Sequence, residues 1–271
     1  MAPLLSALAL GLLSAFGFAP YGLWPLTLLS FALLFLFLGR ARTVGQAAAI
    51  GWCFGFAQFV LGLDWIATAF TYQANMPAWL GWIAVALLSV YLALYPALAT
   101  ASAWWATRRI GGGAATLTLF LGASWAVSEW LRGTMFTGFP WNPIAVSVVD
   151  LPLAHLARIT GTYALSGLVV ASAGFILILA TRPREALTRA NILSSANIPG
   201  AVGLGLLVGL YAVPAVLLRF APPARRLRRR GRPSISSSPT SGRASAGRRN
   251  SPPATSPGLR RCRASPAPGH A

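Results

Sequence analysis

Long apolar runs alternate with short polar or glycine- and proline-rich breaks along the first 219 residues of the chain. A helix that crosses a membrane needs about 20 mostly apolar residues, and most of the runs are close to that length. We therefore expect an all-α polytopic membrane bundle of about seven transmembrane helices. The expected spans are 4–18, 23–38, 46–70, 84–106, 114–131, 160–181 and 198–218.

Two local patterns predict how these spans pack. Gly51 and Gly55 form a small-xxx-small pattern in the third span, which favours close contact with a neighbouring helix. Pro96 lies inside the fourth span and predicts a kink there. Residues 142–158 are less apolar and contain two prolines, so we expect a surface or re-entrant segment between the fifth and sixth spans.

The alternating pattern ends near Phe220. Residues 220–271 are mainly arginine, proline, serine, glycine and alanine, a composition that cannot bury a hydrophobic core. We expect this segment to be a disordered basic tail. The chain then divides into a transmembrane helical domain, 1–219, and a tail, 220–271.

Composition and charge agree with this division. The 271 residues are 56% hydrophobic and 10% charged, which is typical of a polytopic membrane protein and excludes a soluble domain. The net charge of +18 is uneven: residues 1–219 carry ten arginines and four acidic residues, and residues 220–271 carry twelve arginines and no acidic residue. All 22 basic residues are arginine, so these residues support no mechanism that needs a lysine amine.

Arginine placement predicts the orientation. If the amino terminus is cytoplasmic, seven of the ten arginines in residues 1–219 lie in cytoplasmic loops. This distribution follows the positive-inside rule, and we expect that orientation. It also places the end of the seventh span, and hence the arginine-rich tail, on the outer side, against the same rule.

Residues 128–141, S-E-W-L-R-G-T-M-F-T-G-F-P-W, combine an acidic and a basic residue with glycines, a proline and aromatic rings. Glu129 and Arg132 are three residues apart, so a helix places them on one face, where they can pair. The glycines and proline then break the helix, and aromatic rings favour the membrane interface. We call residues 128–141 the elbow. Its candidate site residues are Glu129, Trp130, Arg132, Gly138, Phe139, Pro140 and Trp141.

Two interpretations of the elbow remain open from the residues alone. In the first, it is an interface anchor whose ion pair, partly buried at a helix end, only shapes the loop. In the second, it is a wall of a lipid-binding cleft. Irregular backbone at membrane depth must be shielded by protein or line a wet cavity, and ionisable residues there are often functional.

Other polar residues give weaker signals. Asp64 is expected to be an interface residue that faces headgroups rather than part of a polar site. His155 has no identifiable partner for a general-base role, so we expect an interfacial histidine. Cys53 is expected to be a small buried hydrophobe. Two cysteines and two histidines predict no disulfide framework and no metal site, and no catalytic residue is assigned.

Three motifs resemble one family of membrane enzymes. E-W-L-R-G and F-T-G-F-P-W-N at the elbow, G-F-A-P-Y-G-L-W-P-L near the start and G-T-Y-A-L-S-G-L in the sixth span are similar to apolipoprotein N-acyltransferase, over about residues 5–219. That bacterial inner-membrane enzyme moves an acyl chain from a phospholipid to the amino-terminal cysteine of a diacylated lipoprotein. The resemblance implies these two partners, a multi-pass inner-membrane location, no cofactor and no nucleic acid.

The resemblance also implies a catalytic part. In the family, a nitrilase-type periplasmic domain with a Glu-Lys-Cys triad and a thioester acyl-enzyme follows the seventh span. This sequence has no lysine, and Cys262 lies in no matching context. No catalytic residue carries over, and we expect this chain to be inactive alone.

The sequence of the tail suggests why no catalytic residue carries over. Residues 232–251, back-translated with GC-rich codons and read from the third base of each codon, permit P-V-H-L-V-Q-P-N-I-G-Q-G-E-R-W-S-P-E-L. This reading resembles the opening of the family's nitrilase-type domain, where a strand ends near V-Q-P-N-I and a tryptophan follows. We therefore expect the tail to be a frameshift product.

A different class of function also stays open. The residues are compatible with a non-enzymatic small transporter or a lipid-binding membrane protein with a basic tail. A transporter needs a polar path across the bundle, and Asp64 and Glu129 are its acidic candidates. A cytoplasmic tail could instead tether the protein to nucleic acid or anionic lipid.

Overall fold

The computed structural model describes residues 2–72, 77–136 and 138–181. These residues form nine α-helices and two short 3-10 helices, and no strand occurs among them. The expected seventh span and the tail lie outside the described residues. The α-helices are α1 (Ala2–Ala15), α2 (Trp24–Gly39), α3 (Val44–Gly62), α4 (Asp64–Thr71), α5 (Ala78–Leu92), α6 (Leu94–Arg109), α7 (Ala114–Thr134), α8 (Ala157–Thr160) and α9 (Thr162–Thr181), and the 3-10 helices are Ile144–Val148 and Pro152–Leu156.

The expected apolar spans within the described residues are helical, which confirms the all-α class. Three helical stretches there, Val44–Thr71, Trp79–Arg109 and Thr162–Thr181, are long and apolar enough to cross a membrane. The helices α1 and α2 are apolar but shorter. The helix α7, which carries Glu129 and Arg132, is not among the three, so the expected count of seven spans is not confirmed.

The third and fourth expected spans are each divided into two helices. The helix α5 ends at Leu92 and α6 begins at Leu94, close to Pro96. Proline has no amide hydrogen to donate to the carbonyl four residues earlier, here that of Leu92, and its ring crowds that carbonyl. The helix is interrupted at Ala93, three residues before Pro96, which agrees with the position of the predicted kink.

Glycines bring α3 and α6 into close contact. A Cβ atom added to Gly51 would meet the Thr100 hydroxyl, and one added to Gly55 would lie 2.6 Å from Cγ of Pro96. The Thr100 hydroxyl in turn donates a hydrogen bond to the Ala47 carbonyl at 2.8 Å. The small-xxx-small prediction is confirmed, because any larger side chain would separate these two helices.

Three buried aromatic rings join α2, α3 and α7 at the centre of the core. The ring centroid of Phe31 lies 4.8 Å from that of Trp125 and 5.0 Å from that of Phe54. All three rings are buried. Trp125 lies one helical turn before Glu129, so this packing fixes the part of α7 that carries the candidate site.

The helices α7 and α9 approach through two facing glycines. A Cβ atom on Gly122 would lie 2.6 Å from the carbonyl oxygen of Gly167, and one on Gly167 would lie 2.5 Å from that of Gly122. The same part of α9 carries Ser166, whose hydroxyl accepts a hydrogen bond from the Ala145 amide at 2.9 Å. The first 3-10 helix is thereby held against α9. Its residues 144, 145, 147 and 148 are buried, so this half of the segment 142–158 packs one side against the bundle rather than lying wholly on the surface.

Candidate functional site

Glu129 and Arg132 form a buried ion pair near the end of α7. Oε1 of Glu129 lies 3.7 Å from a terminal guanidinium nitrogen of Arg132, at the predicted three-residue spacing. Glu129 is only 1% exposed and Arg132 only 4%. The expectation of partial burial is therefore wrong. The cause is that α7 continues to Thr134 and the chain that follows the elbow folds back over it.

The Glu129 carboxylate holds that returning chain. Its Oε1 atom accepts a hydrogen bond from the indole nitrogen of Trp125 at 3.0 Å and another from the backbone amide of Ile144 at 2.9 Å. Ile144 is the first residue of the first 3-10 helix. A negatively charged acceptor at the start of this short helix stabilises an amide that has no helical partner.

The guanidinium group of Arg132 lies over an aromatic ring. Its guanidinium carbon lies 4.9 Å from the ring centroid of Phe59, a buried residue of α3, which is cation–π geometry. A Cβ atom added to the adjacent Gly133 would meet the Tyr163 hydroxyl, so Tyr163 of α9 packs directly against this turn. The last turns of α7, which carry the pair, thus pack against Phe59 of α3 and Tyr163 of α9.

Each residue of the buried pair has a polar atom that makes no hydrogen bond within the described residues. Among the described residues, neither Oε2 of Glu129 nor Nε of Arg132 has a hydrogen-bond partner. Removing two charges from water costs several kcal/mol for each ion, and the attraction within the pair offsets this only when the geometry is good. A buried pair is therefore weak evidence for stability, whereas the loss of one partner leaves a buried charge without compensation.

The elbow leaves the helix through backbone conformations that few residues adopt. Phe136, Gly138 and Asn142 have φ values of +53°, +65° and +36°. Glycine adopts such values freely and asparagine tolerates them better than most residues. The side-chain amide of Asn142 donates a hydrogen bond to the Gly62 carbonyl at 2.7 Å, which fixes the returning chain to the last residue of α3.

The aromatic residues of the elbow face away from the pair. Trp130 is 53% exposed, Phe139 45% and Phe136 82%. Trp141 is half-buried and packs on the small cluster around Phe59 and Leu63, and its ring centroid lies 4.5 Å from that of Phe139. Gly138 and Pro140 are exposed. The structure therefore divides the predicted site residues into a buried pair and an exposed aromatic surface.

The weaker candidates do not join this site. Asp64, at the start of α4, and His155, in the second 3-10 helix, are both exposed. Cys53 is half-buried rather than fully buried. No group of three or more histidine, cysteine or acidic residues able to hold a metal occurs in the part of the chain that the structure describes.

Sequence reasoning missed several partners of the pair. Trp125 could have been found, because it lies four residues before Glu129 and hence on the same helix face. Phe59, Ile144 and Tyr163 come from distant parts of the chain and have no local signal. Their contacts arise only from the way α3, α9 and the first 3-10 helix pack around the end of α7.

The fold and the site define a class: a helical membrane protein whose central helices shield a buried ion pair beneath an aromatic loop. A family model described as the apolipoprotein N-acyltransferase N-terminal domain matches residues 10–175, which include the whole elbow. The match covers more than half of the chain, and the chain belongs to this family.

Individual relatives agree with the family match. The chain is similar to proteins named apolipoprotein N-acyltransferase from Nitrosomonas europaea, with 39% identity over 174 residues, and from Ralstonia nicotianae, with 38% over 180 residues. A third, from Vibrio vulnificus, is 37% identical over 175 residues. These alignments cover 64–65% of this chain and 33–34% of the relatives. The chain thus spans about a third of the length of the relatives that it matches.

Proposed function

We propose that residues 1–219 form the membrane part of an enzyme that transfers an acyl chain from a phospholipid to the amino-terminal cysteine of a diacylated lipoprotein. Membership of the apolipoprotein N-acyltransferase family supports this proposal. The intact enzyme resides in the bacterial inner membrane, with the amino terminus in the cytoplasm. The elbow then lies at the outer face, where lipoprotein substrates are anchored.

The observation that carries this role is the division of the elbow into a buried pair and an exposed aromatic surface. Glu129 holds the returning chain through the Ile144 amide. The exposed rings of Trp130 and Phe139 are thereby presented by a loop whose base is fixed. Aromatic rings are enriched at the level where acyl chains meet headgroups. The elbow is suited to hold the acyl chains of both substrates in place, while the chemistry is carried out by other residues.

This chain does not perform the transfer by itself. Its 271 residues contain no lysine, and acyl transfer by the family requires a Glu-Lys-Cys triad. We expect purified chain, given phospholipid and a diacylated lipopeptide, to produce no N-acylated product above a protein-free blank. Turnover by this chain without an added protein would overturn this part of the proposal.

Residues 220–271 are the product of a frameshift. This explains an arginine-rich segment that the positive-inside rule disfavours at the outer face. It also explains the V-Q-P-N-I reading of residues 232–251. The nucleotide sequence over codons 219–233 tests it, because a single-base insertion or deletion there must restore an open frame that encodes a nitrilase-type domain. If none does, this part of the proposal fails.

A chimera tests the role of the membrane part directly. Residues 1–219 are joined to the region of the Nitrosomonas europaea relative that follows its own seventh span, and N-acylation of a diacylated lipopeptide is measured. We expect the chimera to be active and the added region alone to be inactive. A chimera that unfolds cooperatively, binds phospholipid and yet gives no product would contradict the proposal.

A further inference from the structure

A groove of about 630 Å³ opens between the start of α1, the end of α2 and the start of α3. The elbow lies beyond the other end of α3, whose 19 residues span about 28 Å at the α-helical rise. The groove is therefore separate from the candidate site described above. Its volume falls within the range of roughly 300–1,000 Å³ that is usual for small-ligand sites.

The lining of the groove is amphipathic. Leu4, Phe37 and Ile50 provide an apolar wall, and Arg40 and Arg42 lie at the edge, where both are exposed. Among the residues that the structure describes, no acidic side chain lines the groove. Such a lining fits a molecule with a long apolar part and an anionic group, because the hydrocarbon is buried while the anion remains near water.

The loop that carries the two arginines has a fixed conformation. The Arg42 amide donates a hydrogen bond to the Gln46 side chain at 2.8 Å, and the Gln46 amide donates one to the Thr43 hydroxyl at 3.2 Å. The indole of Trp104 donates to the Ala41 carbonyl at 3.0 Å. A loop held by three such bonds loses little conformational freedom when a ligand binds.

Charge at this end of the bundle favours an anion. Arg108 also reaches the Ala41 carbonyl, with 3.5 Å between its terminal nitrogen and the oxygen, and Arg109 follows it at the end of α6. The described segments contain three acidic residues. Asp64 follows the end of α3, Glu129 belongs to the end of α7, and Asp150 lies in the chain after α7. Within the described residues, the groove thus lies at an end that carries Arg40, Arg42, Arg108 and Arg109, and the acidic residues lie near the other end.

We propose that this groove binds an anionic diacyl phospholipid. The lipid phosphate lies at Arg40 and Arg42, and one acyl chain follows the wall of Leu4, Phe37 and Ile50. This lipid is not the acyl donor of the proposed reaction, because it lies at the opposite end of the bundle from the elbow. The proposal requires only that the protein is embedded in a membrane, and it stands whether or not the chain serves in acyl transfer.

Native mass spectrometry of the purified full chain in detergent tests the site. The probes are palmitoyl-oleoyl phosphatidylglycerol and palmitoyl-oleoyl phosphatidylcholine, which share acyl chains and differ in net charge. We expect the unchanged chain to retain phosphatidylglycerol preferentially. In R40Q/R42Q, this preference should fall by about fivefold for each arginine removed. The control is R225Q/R226Q, which removes the same charge from the arginine-rich segment and should leave the preference nearly unchanged.

A variant with a filled groove distinguishes lipid binding in the groove from general attraction of anionic lipid to the basic surface. Ala49→Trp keeps every charge but places an indole where the acyl chain would lie, and it should reduce phosphatidylglycerol binding as strongly as R40Q/R42Q does. Gly45→Leu is the second filling variant, used if Ala49→Trp lowers the unfolding temperature; a Cβ atom there has its nearest neighbour at 3.9 Å. Full binding by the filled variant, or equal losses in R40Q/R42Q and R225Q/R226Q, would overturn the proposal.

Discussion

The carboxylate of Glu129 accepts a hydrogen bond from the backbone amide of Ile144, with 2.9 Å between Oε1 and N. This contact joins the last turns of α7 to the chain that returns after the elbow, fifteen residues later. Because the same oxygen also faces Arg132 at 3.7 Å, one side chain connects the buried charge to the loop backbone. The shape of the elbow therefore depends on a buried ion pair.

Replacing Glu129 tests this dependence. Glu129→Gln keeps an oxygen that can accept from Ile144 but leaves the Arg132 charge buried without compensation. We expect it to lower the free energy of unfolding by about 3–5 kcal/mol. Chemical or thermal unfolding in detergent micelles measures the change. The matched control is Asp64→Asn, which neutralises an exposed carboxylate and should change stability by no more than about 0.5 kcal/mol.

The double variant Glu129→Gln/Arg132→Leu separates charge from packing. Because it removes both charges, it should be more stable than Glu129→Gln alone. If Glu129→Gln costs no more than Asp64→Asn, or if the double variant is the less stable of the two, the pair does not act as the structure indicates.

Gly133 tests the contact between α7 and α9. Alanine is a better helix former than glycine by about 1 kcal/mol, yet the added methyl group would meet the Tyr163 hydroxyl. We expect Gly133→Ala to lower the unfolding temperature, and Tyr163→Phe to restore part of the loss in the double variant. The control is Gly39→Ala at the end of α2, where an added Cβ has no neighbour within 4 Å. Equal effects at the two glycines would contradict the contact.

Asn142 tests how the returning chain is fixed to α3. Asn142→Ala removes the hydrogen bond to the Gly62 carbonyl and places alanine at a φ of +36°. Together these effects should cost about 1–3 kcal/mol locally. Asn142→Gly keeps the backbone freedom and should cost less.

Hydrogen exchange over residues 135–143 measures the effect of the Asn142 variants, because amides in a loosened loop exchange faster. The control is Val149→Ala, at an exposed position of the segment 142–158. Exchange in Asn142→Ala that is no faster than in the control would show that the Gly62 contact does not hold the elbow.

The helices and the ion pair could be predicted from the sequence, whereas the burial of the pair could not. Run length and hydropathy indicate helices wherever apolar residues are continuous, and a three-residue spacing places Glu129 and Arg132 on one face. Phe59 covers Arg132 from a helix about 70 positions earlier, and Ile144 reaches Glu129 only because the chain turns back. Such contacts depend on how whole helices pack, which a local pattern does not contain.

The count of seven spans stays a prediction, because α1 and α2 are short, α7 is not among the helices apolar enough to cross a membrane, and the seventh expected span lies outside the described residues. Two of the expected spans contain breaks, at Leu63, next to the charged Asp64, and at Ala93. The second break has a local cause in Pro96.

Site-specific photocrosslinking tests the central claim, that the fixed elbow receives the acyl chains of a lipoprotein substrate. Benzoylphenylalanine is placed at Phe139 of the elbow and, as a control, at Trp105, an exposed aromatic position of α6 towards the opposite end of the bundle. Each variant is irradiated with a diacylated lipopeptide, with and without excess unlabelled lipopeptide. We predict a competed adduct at position 139 that weakens when Glu129→Gln is added, and little adduct at position 105. Equal labelling at the two positions, or an adduct at 139 that excess lipopeptide does not reduce, would contradict the claim.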